Sequence, residues 1–291
     1  ALLYDDDRGQ SYLDAYPFDI EPTSDDRPYF SAMLKSGSFD FIRKNAYDPA
    51  NWEREVPPDL WAQPVVLATL GQAFLFALLI LALPLAIARK RLPKAGKVKN
   101  FAYFSCLAVG FMFVEMVLIQ KFTLYVAAPA YAAALVLSGM LVFSGIGAAF
   151  SSRFIGRQSR GILIAVAAII VLSVLYNYGL TPLLLATMSY PETAKVVLSI
   201  IAVGPVAFFL GMPFPLALSV LSTAGDSRLA AWGWAVNGAV SVVGIVLAQA
   251  LGMVLGYTVV LQIVAAVYLI AWATFPRGQV DSSAARNSSG E

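Results

Sequence analysis

The sequence contains no histidine and only one cysteine, Cys106. Without histidine there is no imidazole to act as a metal ligand or a general base, and one cysteine cannot form a disulfide within the chain. These absences argue against zinc, haem and iron–sulfur sites, so we expect no bound metal. Charge is also scarce: Asp, Glu, Lys and Arg make up 13% of the residues, against roughly 25% in soluble domains. The composition therefore excludes an ordinary water-soluble protein.

Apolar residues are abundant instead, at 59% of the chain with a mean hydropathy of +0.71. Several uninterrupted apolar runs exceed the roughly 20 residues that cross a bilayer as a helix. They do not alternate polar and apolar residues as the strands of membrane barrels do. We predict an all-α, polytopic bundle of about seven transmembrane helices after a short acidic segment. The predicted spans are 64–88, 101–124, 129–152, 161–180, 194–222, 230–252 and 256–275.

The chain divides into three parts. Residues 1–62 are rich in Asp and Pro and hold 13 of the 18 acidic residues but six of the 20 basic ones. Residues 63–276 form the predicted membrane domain, and the polar residues 277–291 are predicted to be a disordered cytoplasmic tail. The first residue is Ala1 and not methionine. We therefore expect the acidic segment to be the end of a domain further upstream in a longer protein, or a linker from that domain.

Lysine and arginine predict the orientation of the bundle. Twelve of them follow the first, third, fifth and seventh predicted spans, whereas the opposite side carries only Lys121 and Lys195. Loops rich in Lys and Arg stay in the cytoplasm. We therefore predict a bacterial cytoplasmic-membrane protein with residues 1–62 outside and the C-terminus in the cytoplasm.

Glu115 lies in the middle of the second span, in "GFMFVEMVLIQKF". A carboxylate there costs roughly 2.5–3.5 kcal/mol on insertion scales, so it should face the bundle interior and be paired, hydrated or protonated. Two interpretations stay open. Glu115 is a ligand for a cation or a proton, or it is a neutral acid in a structural hydrogen bond.

Pro213 and Pro215 lie two residues apart in the fifth span. Each lacks a backbone N–H and frees a carbonyl, so we predict a broken or kinked helix. Broken helices are tolerated in membranes where they are buried in protein or line a cavity. The break is either part of a ligand site or a static kink. Asn237, in the sixth span, is the third candidate polar contact for such a ligand.

Small residues recur every three or four positions along the sixth span, which predicts close packing of that helix on a neighbour. The predicted packing residues there are Ser241, Gly244, Ala248 and Gly252. A second such face is predicted on the third span, at Gly145 and Ala149. Close packing alone is what a membrane anchor without a ligand would also need.

Five stretches together carry a family resemblance. They are "PTSDDRPYF" (22–30), "GFMFVEMVLIQKFTLYVAAPAYA" (110–132), "SGIGAAFSSR" (144–153), "LGMPFPLAL" (210–218) and "WGWAVNGAVSVVGIVLAQALG" (232–252). In this order they resemble the C-terminal membrane region of bacterial spermidine synthase-like membrane proteins, over nearly all of residues 20–275. In that family an aminopropyltransferase-like or methyltransferase-like domain is fused to transmembrane helices.

The resemblance implies that any S-adenosylmethionine chemistry belongs to an upstream domain outside this chain. We find no glycine-rich nucleotide loop and no catalytic constellation here, so we expect no cofactor in this chain and no nucleic-acid partner. Asp25 and Asp26 are interpreted as an interdomain contact or as turn residues. The expected function is to bind or move a small cationic or amphipathic molecule, with polyamines as the class that the resemblance suggests. The alternative is a ligand-free anchor for the fused enzyme.

Overall fold

A computed structural model describes residues 24–27, 62–87, 97–223 and 227–276. The predictions for the rest of the acidic segment, for the basic loop 88–96 and for the tail 277–291 lie outside these residues. Within them the structure is helical apart from the short connections between helices and a turn at Ser24–Arg27, where the two ends form an isolated bridge.

The described residues contain eight α-helices. They are α1 (Ala62–Ile87), α2 (Lys97–Val126), α3 (Pro129–Ser151), α4 (Gln158–Ala186), α5 (Glu192–Gly211), α6 (Pro213–Thr223), α7 (Ser227–Leu255) and α8 (Tyr257–Thr274). Six segments are long and apolar enough to cross a membrane, with α5 and α6 counted as one, and α1 adds a shorter apolar stretch at Val65–Ile80. The all-α membrane fold of six to seven spans is therefore confirmed.

Proline and glycine set the junctions between helices. Pro129 begins α3, where its missing N–H costs nothing because the first turn of a helix has no acceptor for it. Between α7 and α8 the chain turns at Gly256, whose φ of +87° lies in the left-handed region that favours glycine. The predicted turn within Gly252–Gly256 is thus where the structure places it.

The fifth predicted span is interrupted, as Pro213 and Pro215 indicated. The helix α5 ends at Gly211, and α6 begins one residue later at Pro213. The Met212 N–H bonds the carbonyl of Phe209 at 3.3 Å, three residues back and not four. The last turn of α5 is therefore tighter than an α-helical turn, and the chain continues directly into α6 without a loop.

The helix α2 lies at the centre of the bundle and is the most buried of the candidate spans. It packs against α7, α8 and α3, while α3 packs against α5 and α4 against α8. The closest backbone approach is between α3 and α5, where Gly147 faces the carbonyl of Phe208 and Gly211 faces that of Ser144. A Cβ at either glycine would overlap a carbonyl oxygen, so these two helices depend on glycine for their contact.

Candidate functional site

A cavity of about 340 Å³ lies beside the break between α5 and α6. The described residues that line it belong to α2, α3, α7 and the break itself, and most of them are apolar. Leu141 and Gly145, which border it, are exposed on the outer surface of the bundle. Because that surface belongs to membrane-spanning helices, the cavity can be reached from the side that lipid would occupy.

Polar groups in this cavity come from the helix break and from α7. Pro215 has no N–H to donate to the carbonyl of Gly211 four residues earlier, and both residues line the cavity. Asn237 adds a side-chain amide, and Ser241 lies one turn further along the same helix. The Ser241 hydroxyl donates to the Asn237 backbone carbonyl at 2.8 Å. The cavity thus combines apolar walls with a small polar patch.

The structure brings together only part of the predicted site. Asn237 and Pro215 line the cavity, together with Ser241 and Gly145 from the predicted packing faces. Pro213 is buried, and its carbonyl accepts a hydrogen bond from the Tyr103 hydroxyl at 2.8 Å. Its role is therefore to join α2 to the start of α6.

Glu115 lies elsewhere in the bundle. Its side chain is 6% exposed, which agrees with the expectation that it faces the interior. It borders neither the cavity at the helix break nor the second cavity described below. Within the described part of the chain, its carboxyl has no hydrogen bond and no ion pair.

The predicted packing face of α7 lies against α2 and α8. A Cβ on Gly244 would stand 3.3 Å from the Met112 Cβ, and Ala248 is completely buried. A Cβ on Gly252 would meet the ring of Tyr257. Small residues at these positions therefore let α7 approach its neighbours closely.

The predicted face of α3 lies differently. Gly145 and Ala149 are exposed, and nothing lies within 4 Å of a Cβ built on Gly145. The close contact of α3 is made by Gly147 instead, on the opposite side of the helix. Among the residues that the structure describes, Gly145 and Ala149 therefore do not form the helix contact that their spacing suggested.

A second cavity, of about 230 Å³, lies near the C-terminal ends of α2 and α4. Among the described residues that line it, Asp25 and Lys121 are charged, and Tyr125 and Thr181 add hydroxyl groups. The Lys121 ammonium donates to Thr181 Oγ1 at 2.8 Å. This grouping could not be predicted, because Asp25, Lys121 and Thr181 lie far apart along the chain.

The turn Ser24–Arg27 is held on the bundle next to this second cavity. The Thr258 N–H donates to the Asp26 carboxylate at 2.7 Å, and the Tyr257 N–H donates to the Asp26 carbonyl at 3.2 Å. These N–H groups belong to the first turn of α8, which has no acceptors of its own and carries a partial positive charge. Asp26 therefore caps α8 from a distant part of the chain, and Asp25 and Asp26 are turn residues.

No protein-family description, curated protein or solved structure matches this chain.

Proposed function

We propose that this chain is a membrane module that binds or moves a small amphipathic molecule in the cavity at the α5–α6 break. The observation that carries the proposal is the meeting of Asn237 and Pro215 in one cavity that is open towards the lipid-facing surface. Its volume of about 340 Å³ lies at the small end of the range typical of ligand pockets, about 300–1,000 Å³.

The lining favours a long-chain amine or alcohol over a polycation. A polyamine would need carboxylates to replace its water, since desolvating several ammonium groups is costly. None of the described residues that line this cavity carries a carboxylate, and Glu115 lies outside it. The cavity offers the Asn237 side-chain amide and the Gly211 carbonyl, to which Pro215 has no N–H to donate. These two groups suit a ligand with a single polar head. The polyamine class suggested by the family resemblance is therefore the weaker form of the proposal.

Photo-crosslinking in lipid nanodiscs tests the proposal. The probe is a long-chain primary amine that carries a diazirine, and the labelled peptides are mapped by mass spectrometry. We expect labelling to concentrate on the helix break and on residues 237–241, and an excess of the unmodified amine to suppress it. Spermidine, added to give the same concentration of positive charge as the unmodified amine, should compete poorly with the probe.

Gly145→Phe supplies the matched variant, because a side chain there meets no neighbour and projects beside the cavity. It should abolish labelling at the break while leaving thermal stability near that of the parent. Gly179→Phe is the control, since Gly179 is also exposed with free space around its Cβ but does not line the cavity. Labelling spread evenly over the lipid-facing helices, or retained in Gly145→Phe, would refute the proposal.

The second candidate function is an anchor for a fused synthase-like enzyme, and one observation favours it. Asp26 fastens the segment before α1 to the first turn of α8, so the position of an upstream domain would be coupled to the bundle. In this case S-adenosylmethionine would be bound outside this chain. An anchor predicts that Gly145→Phe leaves the activity of the full-length protein unchanged. A ligand-handling module predicts that the activity falls.

A further inference from the structure

The second cavity contains a lysine with unused hydrogen-bonding capacity. Lys121 is 8% exposed, and an ammonium group has three donors. One bonds Thr181 Oγ1 at 2.8 Å, and the other two have no acceptor among the residues that the structure describes. A buried ammonium strongly favours an anionic oxygen as its partner. The cavity that Lys121 lines is where such a group would be placed.

A negatively charged side chain lines the same cavity. The Asp25 and Asp26 carboxylates attract the Lys121 ammonium electrostatically, yet neither is hydrogen-bonded to it. Asp26 is already used by the Thr258 N–H. Asp25, its exposed neighbour, lines the cavity. The cavity therefore presents a donor for an anion and, separately, an acceptor for a cation.

The remaining wall is apolar and partly faces outwards. Leu124, Leu185 and Met188 line the cavity and are 38%, 58% and 46% exposed. They lie where α2 and α4 end, which is the interfacial region for helices that cross a membrane. A volume of about 230 Å³ is below the usual range for a whole drug-sized ligand. The cavity suits a headgroup whose hydrocarbon chains continue along exposed leucine and methionine side chains.

We propose that this cavity binds the phosphoethanolamine headgroup of a phospholipid, with the phosphate on Lys121 and the primary ammonium on Asp25. The site is separate from the cavity at the α5–α6 break and does not depend on the function proposed for it. Bound lipid would bridge α2, α4 and the Ser24–Arg27 turn, and would therefore stabilise the docked turn as well as the bundle.

The chemistry distinguishes this lipid from its relatives. Phosphatidylcholine offers the same phosphate, but its quaternary ammonium has no N–H to donate to Asp25. Phosphatidylglycerol offers the phosphate and no cation. Because Asp25 is exposed, the contact is an ion pair screened by solvent, and its loss should weaken binding by about two- to fivefold.

Native mass spectrometry of the delipidated protein tests the proposal. The chain is titrated with phosphatidylethanolamine, phosphatidylcholine and phosphatidylglycerol of identical acyl chains, and the bound fractions are compared. We expect the first lipid to be preferred about two- to fivefold over the other two, because it alone donates an N–H to the exposed Asp25 carboxylate. Asp25→Asn should remove the preference, and it should not weaken the binding of phosphatidylglycerol, which has no cation for Asp25 to attract. Lys121→Met should weaken all three, because each uses the phosphate.

Lys195→Met is the matched control, since Lys195 lies at the same end, over the ring of Tyr125, and does not line the cavity. It should leave the preference unchanged. If Lys121→Met does not fold, the exposed Asp25→Asn still decides. Equal binding of the three lipids, or a preference that survives Asp25→Asn, would overturn the proposal. Competition by soluble phosphoethanolamine as strong as that of the lipid would show the same chemistry from a free ligand and would overturn the lipid assignment.

Discussion

Two glycines of α3 have opposite surroundings although only one residue separates them. A Cβ on Gly147 would overlap the backbone carbonyl of Phe208, whereas a Cβ on Gly145 would meet nothing. We predict that Gly147→Ala destabilises the bundle by about 1–3 kcal/mol or more, because helix backbones cannot yield as a side chain can. Gly145→Ala should be neutral or stabilising by up to about 1 kcal/mol, from the higher helix propensity of alanine.

Thermal melting of the two alanine variants in the same detergent measures this difference. Equal melting temperatures would contradict the close contact between α3 and α5. The comparison also tests the exposed position of Gly145, because a marked loss in Gly145→Ala would indicate a partner outside this chain that covers it.

Glu115 gives a second prediction at the scale of one residue. Its carboxyl is buried without a hydrogen bond or ion pair among the described residues, and a buried polar group without a partner costs stability. Glu115→Met removes that group at similar length, so we expect the melting temperature to stay level or to rise. Glu115→Gln serves as the control that keeps a polar group.

The same variants test the cation hypothesis for Glu115. The parent and Glu115→Gln should show the same change in melting temperature on addition of spermidine, because Glu115 borders neither cavity. A stabilisation by spermidine that disappears in Glu115→Gln would establish Glu115 as the cation ligand. A loss above about 2 kcal/mol in Glu115→Met would mean that the carboxyl has a partner.

The candidate residues differ in how far the sequence could predict them. Asn237 and Pro215 could be singled out because a polar amide and a missing N–H are unusual inside an apolar span. Lys121 could not, because its role depends on Thr181, which follows sixty residues later, and on the Asp25 turn. Distances between helices determine such a site, and hydropathy along one span carries no information about them.

At the scale of elements, the small residues of α7 form a contact that a matched pair of substitutions can test. Gly244 faces Met112 and the Val109 Cα, whereas Gly238, on the same helix, has nothing within 4 Å of its Cβ position. We predict that Gly244→Leu forces α7 away from α2 and lowers the melting temperature by several degrees, while Gly238→Leu is tolerated. If both are tolerated, α7 does not pack on α2 through this face.

The cap on α8 is a second feature of this scale. Asp26 accepts the Thr258 N–H, and a cap of this kind contributes roughly 0.5–2 kcal/mol. We expect Asp26→Ala to speed hydrogen exchange at Tyr257 and Thr258. The Thr258 N–H loses the carboxylate that accepts its hydrogen bond. The Tyr257 N–H bonds the Asp26 carbonyl, which is no longer held in place by that carboxylate. Asp25→Ala should leave these amides protected, since Asp25 makes no hydrogen bond to α8. Unchanged exchange in Asp26→Ala would contradict the docking of the turn.

The helices themselves were predictable, but some of their ends were not. The predicted second span is 101–124 and the predicted fourth is 161–180, but α2 is Lys97–Val126 and α4 is Gln158–Ala186. At its start α2 includes polar residues that a hydropathy run leaves out. At its end α4 continues through Pro182, a residue type that usually marks a helix boundary in a sequence. The break before Pro213 and the turn at Gly256 were predictable because proline and glycine act locally.

At the scale of the whole molecule, the polar features separate to the two ends of the bundle. Asp25, Lys121 and Met188 meet at one end. Arg157 precedes α4, which has 29 residues and therefore a length of roughly 40 Å. The arginines before α4 thus lie at the opposite end from the docked Ser24–Arg27 turn. An odd number of crossings between the turn and α4, made by α1, α2 and α3, requires this arrangement.

Two exposed serines on these opposite ends allow the orientation to be measured. Ser189 lies in the connection between α4 and α5, near the second cavity, and Ser159 lies beside the arginines at the start of α4. The excess of Lys and Arg predicts that the Ser159 end faces the cytoplasm. In a Cys106→Ala background, a membrane-impermeant thiol reagent applied to intact cells should therefore label Ser189→Cys and not Ser159→Cys. Permeabilised cells should label both, which controls for accessibility.

The reverse pattern in intact cells would invert the bundle, place the Ser24–Arg27 turn in the cytoplasm and move the phosphoethanolamine site to the inner leaflet. An upstream domain would then lie on the cytoplasmic side, where S-adenosylmethionine is available to it.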